Sequence, residues 1–266
     1  TDFAANLLSS YPTQCRRDLG NQFGTMLRPT AKEWFHTVRR HEEFDSEPVE
    51  VKAYLEWFAK VQRRAMYDVG SLFTRATKEG DHDFAAFGQC VLSLELNRAA
   101  DGLLYRCWHL RDMAWQEDEE GKIGFVVRKA KPTALDLTRL FGSKVHPKVD
   151  KLSATEPFTE IECRHFVIDA DMYDKGTTMP RWSIWYDVQN AHIMVETAIK
   201  GKHYIIPRWQ TVSGSQYSYS PATVCALPDA RLLQAMTFTL LEAGEKATSP
   251  PMVAVQNVIK SDRKST

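Results

Sequence analysis

The sequence predicts an α+β protein, and three observations carry that prediction. Apolar residues recur at helical spacing between Val51 and Val69. Four short segments rich in β-branched and aromatic residues follow one another from residue 160 to residue 209. A long apolar helical pattern then runs on from Pro221. In chain order, Pro48 to Glu79 sets Val51, Tyr54, Leu55, Phe58, Val61, Ala65 and Val69 at mixed spacings of three and four, which predicts one amphipathic helix with a basic outer edge at Arg63 and Arg64. A second helical run, Asp83 to Val91, leads into LSLEL and GLLYRCWHLRDMAWQ, whose aliphatic and aromatic residues favour strands. The acidic cluster Glu117–Glu120 before Gly121 reads as a hairpin turn, with Ile123–Arg128 returning as the partner strand.

Thr133 begins another helix, with Leu135, Leu137, Leu140 and Phe141 ahead of the stop signal Gly142. The segments EIECRHFVID, RWSIWYDV, HIMVETAIK and KHYIIPRWQ, separated by DKGTTMP, QN and GK, predict a meander that closes on the turn SGSQYSYS. A long helix is expected from Pro221 to Glu245. Ser220 is its N-cap, and Pro221 takes the first helical position, where a missing amide costs nothing. Pro228 should kink or restart this helix, with Asp229 favourable in a new first turn. Leu232, Met236 and Leu240 make one ridge, Leu233 and Leu241 widen it, and Gly244 with Pro250 and Pro251 should end it.

Charge and composition narrow the function classes. Thirty-four basic residues balance 34 acidic ones in a chain of 266. The balance holds in both parts of the chain, so neither is a constitutively basic module that gains affinity by releasing counterions from phosphates. No run approaches the roughly 18 apolar residues of a membrane span. The first ten residues lack the pattern of a signal peptide, and without an initiator methionine the natural N-terminus is expected to have been removed. Five widely spread cysteines, Cys15, Cys90, Cys107, Cys163 and Cys225, argue against a disulfide framework and fit a reducing compartment.

Asp169, Asp171, Asp174 and Gly176 resemble a calcium loop, but Tyr173 takes the fifth position, Asp174 the place of the turn glycine and Pro180 that of the bidentate glutamate. Cys107/His109 and Cys163/His165 could supply four zinc ligands from two strands. Their apolar surroundings favour buried thiols beside hydrogen-bonded histidines. Gly20 to Gly24 lacks the Lys and Ser/Thr of a phosphate loop, and no nucleophile elbow or HExxH occurs. We therefore expect no catalytic, cofactor or metal site. The doublets Arg16-Arg17, Arg39-Arg40 and Arg63-Arg64 read as solvated faces or contacts to a neighbouring subunit. Trp34, Trp57, Trp108, Trp115, Trp182, Trp185 and Trp209 should be mostly core, with some available as interface anchors.

The order of several motifs is more specific than any one of them. His203 to Trp209 ending in Pro207-Arg208-Trp209, then Gly214, Tyr217, Ser220 and Pro221, then Ala226 to Arg231 with Pro228 and Asp229, and finally Pro250-Pro251 resemble the head-to-tail connecting (portal) proteins of short-tailed phages. Ser218 stands where that family usually has glycine. Upstream, Trp34-Phe35, Phe87-Gly88, Asp101 to Arg106, Asp118 to Ile123 and Leu137 to Gly142 extend the resemblance over nearly the whole chain.

The resemblance implies a portal-type protomer. Residues 1–132 would form a wing, 133–151 a first stem helix, 152–220 a β-rich clip and 221–245 a second stem helix. Residues 246–266 would begin a channel-bordering segment, and the chain is expected to be cut short of the family's usual length. It further implies a homo-oligomeric ring of about twelve copies at one vertex of the head. Double-stranded DNA would pass through it, and the terminase packaging motor, capsid and scaffolding proteins and a tail adaptor would dock on it. In that reading Pro228, Asp229 and Arg231 shape an inter-subunit contact, and Lys246, Lys260, Arg263 and Lys264 are candidates to face DNA. Two other classes are compatible with the same residues. One is a metal-dependent hydrolase using the Cys-x-His pairs with Asp169 and Asp171; the other is a monomeric binding module presenting Trp182, Trp185 and Trp209.

Overall fold

The computed structural model describes residues 8–30, 32–39, 48–173 and 175–251. Three helices come first: α1 (Tyr11–Leu27), α2 (Val49–Met66) and α3 (Phe73–Phe87). The single helix expected over residues 48–79 is therefore two. The break lies in Asp68-Val69-Gly70-Ser71, where Asp68 Oδ1 accepts from the Gly70 amide at 2.8 Å and Ser71 Oγ donates to the Asp68 carbonyl at 2.8 Å. Leu72 then turns left-handed at φ 56° and starts α3 in a new direction. Side chains that satisfy the backbone locally have overridden a continuous apolar period. Gly88, at φ 74°, ends α3.

Strands β1 (Val91–Leu96), β2 (Leu103–Trp108), β3 (Met113–Glu117) and β4 (Ile123–Ala130) follow, with Gly121 turning the β3–β4 hairpin at φ 73°. Residues 133–151 do not form one stem helix. They give α4 (Ala134–Phe141), a turn through Gly142–Lys144, and most of α5 (Pro147–Thr155). Gly142 takes φ 58° and Pro147 starts afresh under a His146 cap, so one rod is replaced by two short helices. Strands β5 (Cys163–Asp169), β6 (Arg181–Asp187) and β7 (His192–Ile199) form the expected meander. Next, β8 (Tyr204–Ile205) leaves it, β9 (Gln210–Thr211) and β10 (Ser218–Tyr219) pair as a small hairpin, and α6 (Leu227–Thr248) closes the described chain.

All strand pairing among the described residues is antiparallel. One sheet has the order β3-β4-β5-β6-β7, a second β2-β1-β8. The larger sheet runs across residue 132, so the segments expected to be wing and clip share its hydrogen-bond ladder. The smaller sheet does the same, since β8 pairs with β1. One core packs α4 and α5 around Leu137, Val149, Ile161 and Cys163; the other sets Val91, Met113, Trp115, Val126, Val167 and Tyr204 between the two sheets.

Candidate assembly interface: helix α6 and the junction that holds it

The motif residues from Arg208 to Pro221 gather where α3 ends. Trp209 stacks on Phe84 of α3, rings 5.3 Å apart and 10° from parallel, and meets Phe23 of α1 edge-on at 5.4 Å. Its amide donates to the Gly88 carbonyl at 2.8 Å, and Ser218 Oγ donates to the same oxygen. The Ser218 amide donates to Gln89 Oε1 at 2.9 Å. Arg208 pairs with Glu117 and also donates to the Gln216 carbonyl at 3.3 Å, which accepts from Trp115 Nε1 as well. Tyr217 packs edge-on against Trp115 at 5.0 Å, and Gly214 makes the β9–β10 turn at φ 82°. Pro207 stays exposed at the head of this run.

Ser220 and Thr223 anchor what comes next. Both hydroxyls donate to the Ala86 carbonyl, at 2.9 and 2.8 Å, satisfying an orphan acceptor in the last turn of α3. Ser220 Oγ also accepts from the Thr223 amide at 3.2 Å, as an N-cap does. Pro221 follows, and Ala222–Ala226 forms a π-helical turn before α6 starts at Leu227. The α-helix thus restarts after the π turn, one of the two outcomes expected at Pro228, which sits with Asp229 in a first turn where its missing amide is not needed. Gly244 does not end the helix; it continues to Thr248 and stops before Pro250.

Beyond this junction α6 has no buried residue. Leu227, Leu232, Leu233, Met236, Phe238, Leu240 and Leu241 are all exposed, Leu240 to 73%. At about 100° per residue they fall on two faces, Leu232/Leu233/Met236/Leu240 on one and Leu227/Phe238/Leu241 nearly opposite. Pro228, Asp229 and Arg231 lie exposed on its first turns, and neither charge forms an ion pair among the described residues. Lys246 is exposed near its end; Lys260, Arg263 and Lys264 lie outside the described residues.

A second polar arrangement, which the sequence did not announce, ties the two sheets together. Arg128, His165 and Trp185 stand in one cross-strand row on β4, β5 and β6. The buried Arg128 guanidinium lies 3.7 Å over the Trp108 ring, and Arg128 Nε donates to Tyr204 Oη at 2.9 Å. Tyr204 Oη also shares a hydrogen bond with His165 Nδ1 at 2.6 Å, and His165 Nε2 shares one with Ser183 Oγ at 2.8 Å. Burial, then the neighbouring His203 and Arg128, hold the His165 imidazole far below its usual range. The chain of bonds from Arg128 on β4 through Tyr204 on β8 to His165 on β5 and Ser183 on β6 joins the two sheets as a lock.

The metal candidates are not brought together. Cys107 lies on β2 and Cys163 on β5, in different sheets, and burial first pushes each thiol up to about 12. His109 Nδ1 accepts from the Arg111 amide. Asp169 pairs with Arg181 at 2.8 Å, and Asp174 lies outside the described residues. Among the described residues no group of three or more His, Cys, Asp or Glu is disposed to hold a metal ion. Arg63 donates to the Thr30 carbonyl, and Arg40 lies outside the described residues. Trp185 packs with Phe141, Trp209 with Phe84 and Trp182 with Tyr173, so the three do not present one surface.

A family model for the bacteriophage head to tail connecting protein matches residues 4–265. The chain belongs to that family. No curated protein matches it. A head-to-tail connecting protein is a component of the phage particle and assembles with other head and tail proteins. Among the described residues of the connector chain, no helix is long and apolar enough to cross a membrane. Ser218, at the position where the family usually has glycine, adopts a negative φ within β10, so that backbone needs no glycine, and its hydroxyl is used on Gly88. Gln89, Thr223 and Arg128 lie outside the connector motifs read from the sequence. Each acts through a partner more than 70 residues away, a distance at which local pattern carries no signal.

Proposed function

We propose that this connector chain is the protomer of a ring-shaped portal of about twelve copies. The ring forms the channel through which double-stranded DNA enters and leaves the head. It docks the terminase motor during packaging and a tail adaptor afterwards, and it contacts the capsid and scaffolding proteins. It assembles in the host cytoplasm and stays at the portal vertex. Its mechanism is geometric, with no catalysis and no cofactor. In this reading α6 is the stem, while the segments named wing and clip share the sheets described above.

The observation that carries the reading is the pair of exposed apolar faces on α6. A helix that serves one partner needs one apolar stripe. Two nearly opposite faces fit a helix held between two neighbours, each copy offering one face to the next. Such a head-to-tail contact closes into a ring. Each contact sets one face of one copy against the other face of the next, so it draws on all seven large apolar side chains, each worth about 1.5–3 kcal/mol on full burial, against an association cost of about 4–15 kcal/mol. Met236→Glu and Phe238→Glu, one on each face, should each abolish rings seen by electron microscopy and leave a folded monomer on sizing chromatography. Rings that persist in both variants would refute the reading.

A further inference from the structure

The ring reading leaves open which side of α6 meets the DNA, and the angular positions of its side chains decide that. This inference rests on the reading above. The two apolar faces are separated by about 160° on one flank and about 200° on the other, at 100° per residue. A member of a closed ring sees its two neighbours at less than a straight angle on the inner side, about 150° for a ring of twelve. We infer that the narrower flank, which carries Thr237, Gly244 and Thr248, lines the bore. The wider flank, with Arg231, Glu242 and Lys246, faces outward, so Lys246 does not touch the DNA.

The chemistry of the narrow flank agrees independently. It has no charge. Thr237 Oγ1 donates to the Leu233 carbonyl at 2.8 Å and Thr248 Oγ1 to the Gly244 and Glu245 carbonyls at 3.1 and 3.0 Å, so each hydroxyl proton is spent within the helix. The surface therefore offers methyl groups and lone pairs, with no donor for a phosphate oxygen. Gly244 adds nothing at all: a Cβ there would meet no atom within 4 Å. An exposed glycine inside a helix costs up to about 1 kcal/mol against alanine, and a narrow bore is a setting in which a missing side chain is useful. A lining without cations releases no counterions from DNA, so passage is insensitive to salt.

The test compares Gly244→Cys with Lys246→Cys, which lie about 3 Å apart along the axis and on opposite flanks. Both are made with the exposed Cys15 and Cys225 replaced by serine, and both are reacted as assembled rings with a bulky polymer-linked maleimide. Lys246→Cys should react faster than Gly244→Cys on the order of tenfold, the factor set by a barrier of about 1.4 kcal/mol. Dissociated monomers should show equal rates. Rings in which Gly244→Cys reacts as fast or faster overturn the inference alone. A protein that forms no rings overturns the ring reading and this inference with it.

Discussion

Gly88→Ala tests the junction beneath α6 at its tightest point. Gly88 has φ 74°, and a Cβ there would collide with the backbone of Tyr219 and Ser220, not with the yielding end of a side chain. The left-handed backbone alone costs an alanine about 1–2 kcal/mol. Overpacking against rigid backbone adds about 1–3 kcal/mol. Displacing β10 also strains the two hydrogen bonds that converge on the Gly88 carbonyl, from Ser218 and Trp209, each worth about 1 kcal/mol. We expect a loss of about 3–6 kcal/mol, a large share of the 5–15 kcal/mol that holds a typical domain. Gly121→Ala separates the contributions, because Gly121 has φ 73° but open space around it and should lose only the conformational part. Urea denaturation of the two variants measures the difference. If Gly88→Ala unfolds within about 0.5 kcal/mol of Gly121→Ala, the collision is relieved at no cost and the reasoning fails.

Two further outcomes follow from the same contacts. Ser220→Ala removes both a bond to the Ala86 carbonyl and the cap on the Thr223 amide, so it should cost about 1–2 kcal/mol and raise hydrogen exchange in the turn before α6; unchanged exchange there would contradict the anchoring role. His165 is held neutral by burial, so below about pH 6.5 the unfolded chain binds a proton that the folded one does not. Stability contributed by the neutral imidazole is complete above that pH and is lost as pH falls, by about 1.4 kcal/mol per pH unit. Denaturation midpoints of the natural protein and of His165→Gln, measured from pH 7 to pH 5, should show the extra slope only in the former.

Legibility in the sequence followed the range of the interaction. The β3–β4 hairpin was readable from the acidic turn and Gly121, the β5–β6–β7 meander from its alternation, and the cap at Ser220 from one residue and the proline after it. Gly142 was readable as a stop, yet the same glycine divides the stretch that family resemblance made a single stem helix. The apolar period from Val51 to Val69 predicts one helix because it persists up to Asp68-Val69-Gly70-Ser71, where side-chain to backbone bonds win. Of the interface, the motif residues were legible as a set but not as a place. That Arg208, Trp209, Ser218 and Ser220 meet at the end of α3 depends on bonds spanning about 130 residues or on aromatic stacking across helices. The breadth of the apolar surface on α6 is legible in the sequence between Thr223 and Glu242; that both of its faces are left uncovered is visible only in the structure.

The pairing of β8 with β1 imposes an order on events in the cell. Leu92 finds Ile205 as its neighbour only after the intervening chain has left the ribosome, and until then the outer edge of β1 exposes unpaired amides and carbonyls. Tyr204, which completes the lock with Arg128 and His165, arrives in the same step. The sequence that follows immediately is the one that holds α6. A nascent chain thus seals its own sheet before it can present the helix through which copies join, and release of a half-made product exposes a sticky strand in place of a competent subunit.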